Sequence, residues 1–368
     1  DGSGFNGDFG ETGPIGTALG ASADDVFGIE SLIGGLGADS LTGLDTASTW
    51  SIGTSSSYRD TVSNHSLAFS AIDALIGQSQ VDTFNVTSFV TLDLAGGDGN
   101  DLFNFASGAT TTGTASGNGG DDLFTFTGIL ATTLPSIDGG AHTAGDTVSF
   151  AAALSAVSAN GNQLTNVESL IGTTLLDTLT GTSGADQFDF NTQNSAGTDG
   201  VLNTTLNFLD FENFAGDAGD DSFNFASGVG VPGSLDGGTG SDTVNYSAYG
   251  SAVVVNLGSV SPTAQNVAGV VSGIENATGG TGNDTLTGDS GPNILTGGAG
   301  ADRLTDGFGD DILIGGTGDD VYVLTPGSAD LVDESTGDGV DRLDFSSPLN
   351  GPITIDLDST AIQTVMGA

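Results

Sequence analysis

A chain of 368 residues with 62 Gly, 47 Asp or Glu and only three basic residues carries a formal charge of -44. That balance excludes nucleic acid and anionic membrane surfaces as natural partners, because phosphate recognition needs clustered cations. With no Cys, disulfides and thiolate metal sites are excluded as well.

Hydrophobic content of 36% with 20 Phe is enough to build a core. Dozens of uncompensated carboxylates would nevertheless push a compact state apart unless cations come from outside. No apolar run approaches membrane-spanning length, and residues 1–10 do not read as a signal peptide, so no membrane insertion is expected.

Residues 1–19 form an irregular lead-in, after which a nine-residue pattern, GGxGxDxUx with U a large apolar residue, recurs along the chain. Perfect copies begin at Gly34, Gly96, Gly237, Gly279, Gly297 and Gly315, which places Asp39, Asp101, Asp242, Asp284, Asp302 and Asp320 at the sixth position. Degenerate copies keep the Asp while relaxing the glycines, at Asp122, Asp186 and Asp221. With the Asp as marker, Asp39, Asp60, Asp82, Asp101, Asp122 and Asp146 advance by 21, 22, 19, 21 and 24 residues. Further along, Asp284, Asn293, Asp302, Asp311 and Asp320 follow at intervals of nine, so two motifs make an 18-residue coil, and the step to Asp341 returns to 21.

A near-constant advance with one repeated turn predicts an all-β parallel β-roll, a solenoid with about 18–22 residues per coil. After each motif Asp, apolar residues stand at the second and fourth places: Phe84/Val86, Phe103/Phe105, Phe124/Phe126, Val148/Phe150, Phe188/Phe190, Phe223/Phe225 and Val244/Tyr246. Polar residues separate them, which is the pattern of a strand with one buried face. A second string, Ile29-Glu30-Ser31-Leu32, Ile72-Asp73-Ala74-Leu75, Val167-Glu168-Ser169-Leu170, Phe211-Glu212-Asn213-Phe214 and Ile274-Glu275-Asn276, marks another strand with its acidic residue expected to face out. Residues 151–158 (AAALSAVS) are the one stretch open to a helical reading. The expected organisation is the lead-in, a long-coil solenoid over 20–278, a tight tandem block over 279–323 and a terminal coil over 324–368.

Glycines at the first, second and fourth places of the motif let the backbone bend sharply and aim carbonyl oxygens inward, and the Asp adds a carboxylate to the same pocket. The same turn one coil above completes a cage of about six oxygens, the donor set that Ca²⁺ prefers at roughly 2.3–2.6 Å. Asp284 is expected to share an ion with the turn of Asp302, and Asp302 with that of Asp320. On the other edge Asn293 pairs with Asp311, a weaker site because the amide brings no charge. About a dozen divalent ions would bring the charge from -44 to about -20.

These turns resemble the nonapeptides of the RTX (repeats-in-toxin) proteins, most closely over 237–345, where DTVNYS, VVVNL, SGIENATGGTGNDTLTG and DDVYVL follow in order, and more loosely over 20–236. The resemblance implies a calcium-binding β-roll that folds outside a bacterial cell. It carries over ligand roles to Asp39, Asp101, Asp242, Asp284, Asp302 and Asp320 with their glycines, and to Asp122, Asp186, Asp221, Asp311 and Asp341. Asp82, Asp146 and Asp177 depart from the glycine pattern and are read as structural.

Catalytic motifs with their proper context (HExxH, GxSxG, a P-loop, a Rossmann glycine pattern) do not occur. His65 and His142 sit in Ser/Thr/Gly-rich loops and receive no role, and Arg59, Arg303 and Arg342 lie beside motif Asp positions as local charge compensation. Trp50 and Tyr249 read as coil packing rather than a sugar platform, and the threonines of 110–114 do not repeat in register as an ice-binding face would. The expected protein is a non-enzymatic, secreted, calcium-binding structural element. It self-associates into a surface filament or layer, or continues in the same polypeptide, because neither end shows a strong cap and 353–357 alternates as a strand. The alternatives are a stalk or ligand-presenting segment of a large adhesin, and the secretion and folding module of an exported enzyme.

Overall fold

The computed structural model describes residues 30–62, 64, 66–193, 197–258, 260–325, 329–334 and 339–345, and the backbone of the strand Gln363–Met366. The expected lead-in, the expected strand at 353–357 and His65 lie outside the described residues. The fold is all-β, dominated by parallel strands in stacked coils; among the described residues the one helical element is the 3₁₀ turn Gly161–Gln163. No helix among them is long and apolar enough to cross a membrane. Two compact units, residues 1–175 and 176–368, are described in turn.

In the first unit each coil gives one strand to each of two parallel sheets. One sheet carries Ser48–Ile52, Asp82–Val86, Leu102–Phe105, Leu123–Gly128, Thr147–Ala153 and Ser169–Ile171. The other carries Ser40–Thr42, Ala74–Ile76, Asp93–Asp98, Thr114–Gly119, Ser136–Ala141 and Leu164–Thr165. Parallel register stacks like on like. The rings of Phe84, Phe103 and Phe124 lie 4.8 and 4.6 Å apart, and those of Phe105, Phe126 and Phe150 lie 4.6 and 4.8 Å apart. This is the strand spacing of a sheet, so the aromatic ladder and the backbone ladder reinforce each other. Trp50 tops the first ladder, parallel to Phe84 at 5.6 Å and fully buried, so it is core, as is Tyr249 at 2% exposure.

The second unit continues the same grammar. Gln187–Gln193, Ser222–Phe225, Thr243–Asn245, Asn276–Thr278, Ile294–Ala299, Ile312–Thr317 and Ala329–Asp333 stack in parallel. A second parallel sheet carries Val254–Asn256, Thr285–Thr287, Arg303–Thr305, Val321–Val323 and Arg342–Asp344. Leu286, Leu304 and Tyr322 form its buried column, and Leu295 and Leu313 that of the first.

Antiparallel excursions depart from the expected uniform winding. In the first unit Ser56–Asp60 runs antiparallel to both Ser48–Ile52 and Ser66–Ser70. In the second, Thr198–Leu202 runs antiparallel to both Gln187–Gln193 and Leu206–Phe211. Each hairpin inserts two antiparallel strands into the sheet beside the strand it pairs with, and in the first unit Ser66–Ser70 pairs in turn, in parallel, with Ser31–Ile33. Asp60, which fitted the 21-residue rhythm, therefore belongs to a hairpin, and Ser48 takes the place in register with Asp82. Residues 151–153 finish the strand Thr147–Ala153, which removes the helical reading, and Thr110 and Thr111 are buried at 3% exposure. Arg59 donates to Asn64 Oδ1 at 2.9 Å and Arg342 stands 3.5 Å from Asp344, both local surface contacts.

Candidate metal centre

Parallel register sets each motif Asp against its counterpart in the next coil. In the first unit the backbone N–H of Asp82 donates to Asp101 Oδ1, that of Asp101 to Asp122 and that of Asp122 to Asp146, each at 2.7 Å. The ladder ends with the Asp146 N–H on Glu168 Oε2 at 2.8 Å. In the second unit Asp186 donates to Asp221 and Asp221 to Asp242, both at 2.7 Å, and Asp242 to Glu275 Oε2 at 2.9 Å. Asn293 donates to Asp311 at 2.8 Å and Asp311 to Asp330 at 3.2 Å. The parallel ladder runs from the Val253 N–H to Asp284, Asp302 and Asp320 at 2.7 Å each, and on to Asp341 at 2.9 Å.

One carboxylate oxygen is satisfied by this bond; the second divides the turns into two kinds. In Asp101, Asp122, Asp146, Asp221, Asp242, Asp302, Asp311 and Asp320, Oδ2 is buried without a hydrogen-bond partner. In each of these turns a residue four or six places earlier has positive φ: Gly97, Asn118, Gly140, Asp217, Gly238, Gly298, Gly307 and Gly316. In the turns that start a run, that residue has ordinary φ and its N–H closes on the carboxylate: Gly35 to Asp39 at 2.6 Å, Gln78 to Asp82 at 3.1 Å, Thr182 to Asp186 at 2.5 Å and Gly280 to Asp284 at 2.6 Å. Asn293 behaves likewise, accepting from the Asp289 N–H at 2.7 Å while its Nδ2 donates to the Glu275 carbonyl at 2.6 Å. The conformation of the turn thus decides whether the carboxylate is closed by its own backbone or left open.

The first glycine leaves room beside the motif carboxylate in closed and open turns alike, and in the open turn of Asp311 that first place is held by Asp306 instead. A Cβ on Gly34, Gly96, Gly237, Gly279, Gly297 or Gly315 would come within 3.0 Å of the Oδ2 of its own motif Asp. At Gly297 it would also lie 2.7 Å from the carbonyl oxygen of Gly315 in the following coil. Carboxylate and carbonyl oxygens therefore converge on a point that any side chain would fill. At Gly315 the Tyr322 hydroxyl takes the place of that next-coil carbonyl and donates to Glu334.

These open carboxylates are costly as they stand. Asp101, Asp122, Asp221, Asp242, Asp302, Asp311 and Asp320 expose between 0 and 2% of their surface. Loss of water pushes the carboxyls of Asp101 and Asp311 up to about 7 and those of Asp122, Asp221, Asp242 and Asp302 up to about 6, with neighbouring carboxylates adding to the rise. Asp146, Asp284 and Asp320 are raised by the same burial. A hard divalent cation fits this donor set of buried anionic and carbonyl oxygens.

The structure brings most of the expected ligands together and adds others. Asp341 is the exposed last rung of its ladder, and Asp39 is in register with Asp73, whose Oδ2 accepts the Asp39 N–H at 2.8 Å. Asp82, Asp146 and Asp177, set aside for their missing glycines, are each fully buried, and the first two are rungs. The acidic residues of the second string do not simply face out. Glu168, Glu212 and Glu275 accept the N–H of Asp146, Asp177 and Asp242, and Glu212 is 5% exposed. They occupy the motif Asp position itself, with a longer side chain on turns that lack the full glycine pattern, although Gly273 remains in the turn of Glu275. Asp306, Asp330 and Glu334 were also missed. Ligand atoms of Asp306, Asp311 and Asp330, of Asp320, Glu334 and Asp341, and of His142, Asp146 and Glu168 gather within 4.8 Å in each group.

Stacked coils that bury glycine-turn carboxylates in vertical ladders define a parallel β-roll. The sequence matches the family model of the RTX calcium-binding nonapeptide repeat (4 copies) at residues 271–291 and 287–322. They include the turns of Asp284, Asn293, Asp302, Asp311 and Asp320. No curated protein matches the chain.

Proposed function

We propose that the chain is an extracellular structural protein whose β-solenoid is wound by calcium and whose copies associate into a surface filament or layer. The observation that carries this reading is the set of seven regular turns, those of Asp101, Asp122, Asp221, Asp242, Asp302, Asp311 and Asp320, each with a buried carboxylate oxygen lacking a hydrogen-bond partner. Ca²⁺ held there would supply the positive charge that lets these carboxylates stay ionised at neutral pH. At about 1 mM Ca²⁺ and a Kd of about 0.1 mM, linkage contributes roughly 1.4 kcal/mol per site, or about 10 kcal/mol for seven. That equals the whole net stability of a typical domain. In a compartment poor in calcium, a charge of -44 keeps the chain expanded; outside the cell it coils.

Parallel stacking supports the assembly part of the proposal, because each coil offers its neighbour the same register that it receives. Sedimentation velocity and electron microscopy of the full chain in millimolar Ca²⁺ and in EGTA test it. Calcium-dependent filaments or sheets are expected. Uniform short particles at millimolar Ca²⁺ would remove assembly and leave the adhesin-stalk and folding-module readings, neither of which needs self-association.

A further inference from the structure

The turn of Asp146 differs chemically from the other seven open turns. Two extra residues lengthen it, Gly139-Gly140-Ala141-His142-Thr143-Ala144-Gly145-Asp146, and the added length puts an imidazole at the mouth of the pocket. His142 Nδ1 stands 3.2 Å from Glu168 Oε2 and 3.7 Å from Asp146 Oδ2. Asp146 is fully buried, and its Oδ2 has no hydrogen-bond partner. The lengthened loop is held in place from the preceding coil: Asp121 Oδ1 accepts the N–H groups of Thr143, Ala144 and Gly145 at 2.9, 2.6 and 3.1 Å. Glu168 is fixed in turn by accepting the Asp146 N–H at 2.8 Å.

We propose that His142, Asp146 and Glu168 form a separate site for a borderline divalent transition metal of the Zn²⁺ class, distinct from the calcium turns. Calcium takes oxygen donors, whereas imidazole suits Zn²⁺ and its first-row neighbours. Ligands about 2.0–2.2 Å from a tetrahedral Zn²⁺ stand roughly 3.3–3.6 Å from one another, and the two His142 separations of 3.2 and 3.7 Å bracket that edge. Three protein ligands leave the fourth position to water, and the His142 side chain, 34% exposed, opens that position to solvent. The site needs none of the regular turns to hold calcium, so the two readings stand or fall separately.

Co²⁺ is the probe, added to the full chain saturated with Ca²⁺. The expected result is one Co²⁺ per chain with the intense visible bands of a tetrahedral site, displaced by equimolar Zn²⁺. His142→Gln is expected to weaken binding by more than the roughly 10–100-fold that loss of an outer-shell partner costs, whereas His65→Gln leaves it unchanged. Glu168→Gln, which can still accept the Asp146 N–H, is a second variant with the same expectation. Both variants are checked for retained calcium-dependent circular dichroism. X-ray absorption on the unmutated protein loaded with Zn²⁺ needs no variant, and one imidazole in the shell is expected. An all-oxygen shell, absence of the visible bands, or bands unmoved by His142→Gln would reduce the cluster to a histidine–carboxylate contact and overturn the proposal.

Discussion

Asp302→Asn is expected to lower the stability of the calcium form by about 1.4 kcal/mol, the linkage value for one ion held near ten times its Kd, and to reduce the calcium count by one. The same substitution is expected to raise the stability of the metal-stripped form by roughly 1–3 kcal/mol, the range for relieving a buried unsatisfied polar group. The sign reversal follows from the two oxygens of Asp302. Oδ1 accepts the Asp284 N–H at 2.7 Å, a role that an amide carbonyl keeps. Oδ2 is the buried oxygen without a partner, and an amide nitrogen there cannot ligate a cation but can donate to the converging carbonyls. Asn293 is the natural precedent, with its Nδ2 already donating to the Glu275 carbonyl. Urea titrations with and without Ca²⁺ measure both signs, and destabilisation of equal size in both states would show that Asp302 acts only through its hydrogen bond.

Protons are expected to replace calcium. In the stripped protein the ladder carboxyls are raised by burial, to about 7 in Asp101 and Asp311 and about 6 in Asp122, Asp221, Asp242 and Asp302. A folded-state value above the unfolded one means that the folded chain binds more protons. The resulting stability is fully present below about pH 4 and is lost as pH rises through 6 to 7. Acidifying stripped protein from pH 7.5 to 4.5 should therefore restore β-sheet circular dichroism without metal, while in calcium the ions are released over the same range. Stripped protein that stays unfolded throughout the acid range would contradict this account. Asp121 behaves oppositely, because three backbone N–H groups hold its carboxyl below the usual range, so it stays ionised throughout.

The sequence makes the column structure legible because period-two apolar residues such as Phe84, Phe103 and Phe124 recur at the coil length, and parallel register can only place them on one another. The Asp markers are legible for the same reason. Three features are not. The hairpins at 48–70 and 187–211 look like ordinary coils because their alternation also has period two, and only pairing direction separates the cases. Glu168, Glu212 and Glu275 occupy motif Asp positions without the full glycine pattern and with Glu in place of Asp, so the nonapeptide pattern passes over them. The difference between closed turns such as Asp284 and open ones such as Asp302 lies in whether a like turn precedes it in the stack, which nine residues read alone do not contain.

The most direct test of calcium-driven winding is a Ca²⁺ titration of stripped, full-length protein at pH 7.5, followed by circular dichroism with the bound ions counted at equilibrium. An expanded chain without metal is predicted, with cooperative gain of β-sheet as about seven ions bind to the regular open turns. Stripped protein with the same spectrum and melting temperature as the calcium form would contradict the account.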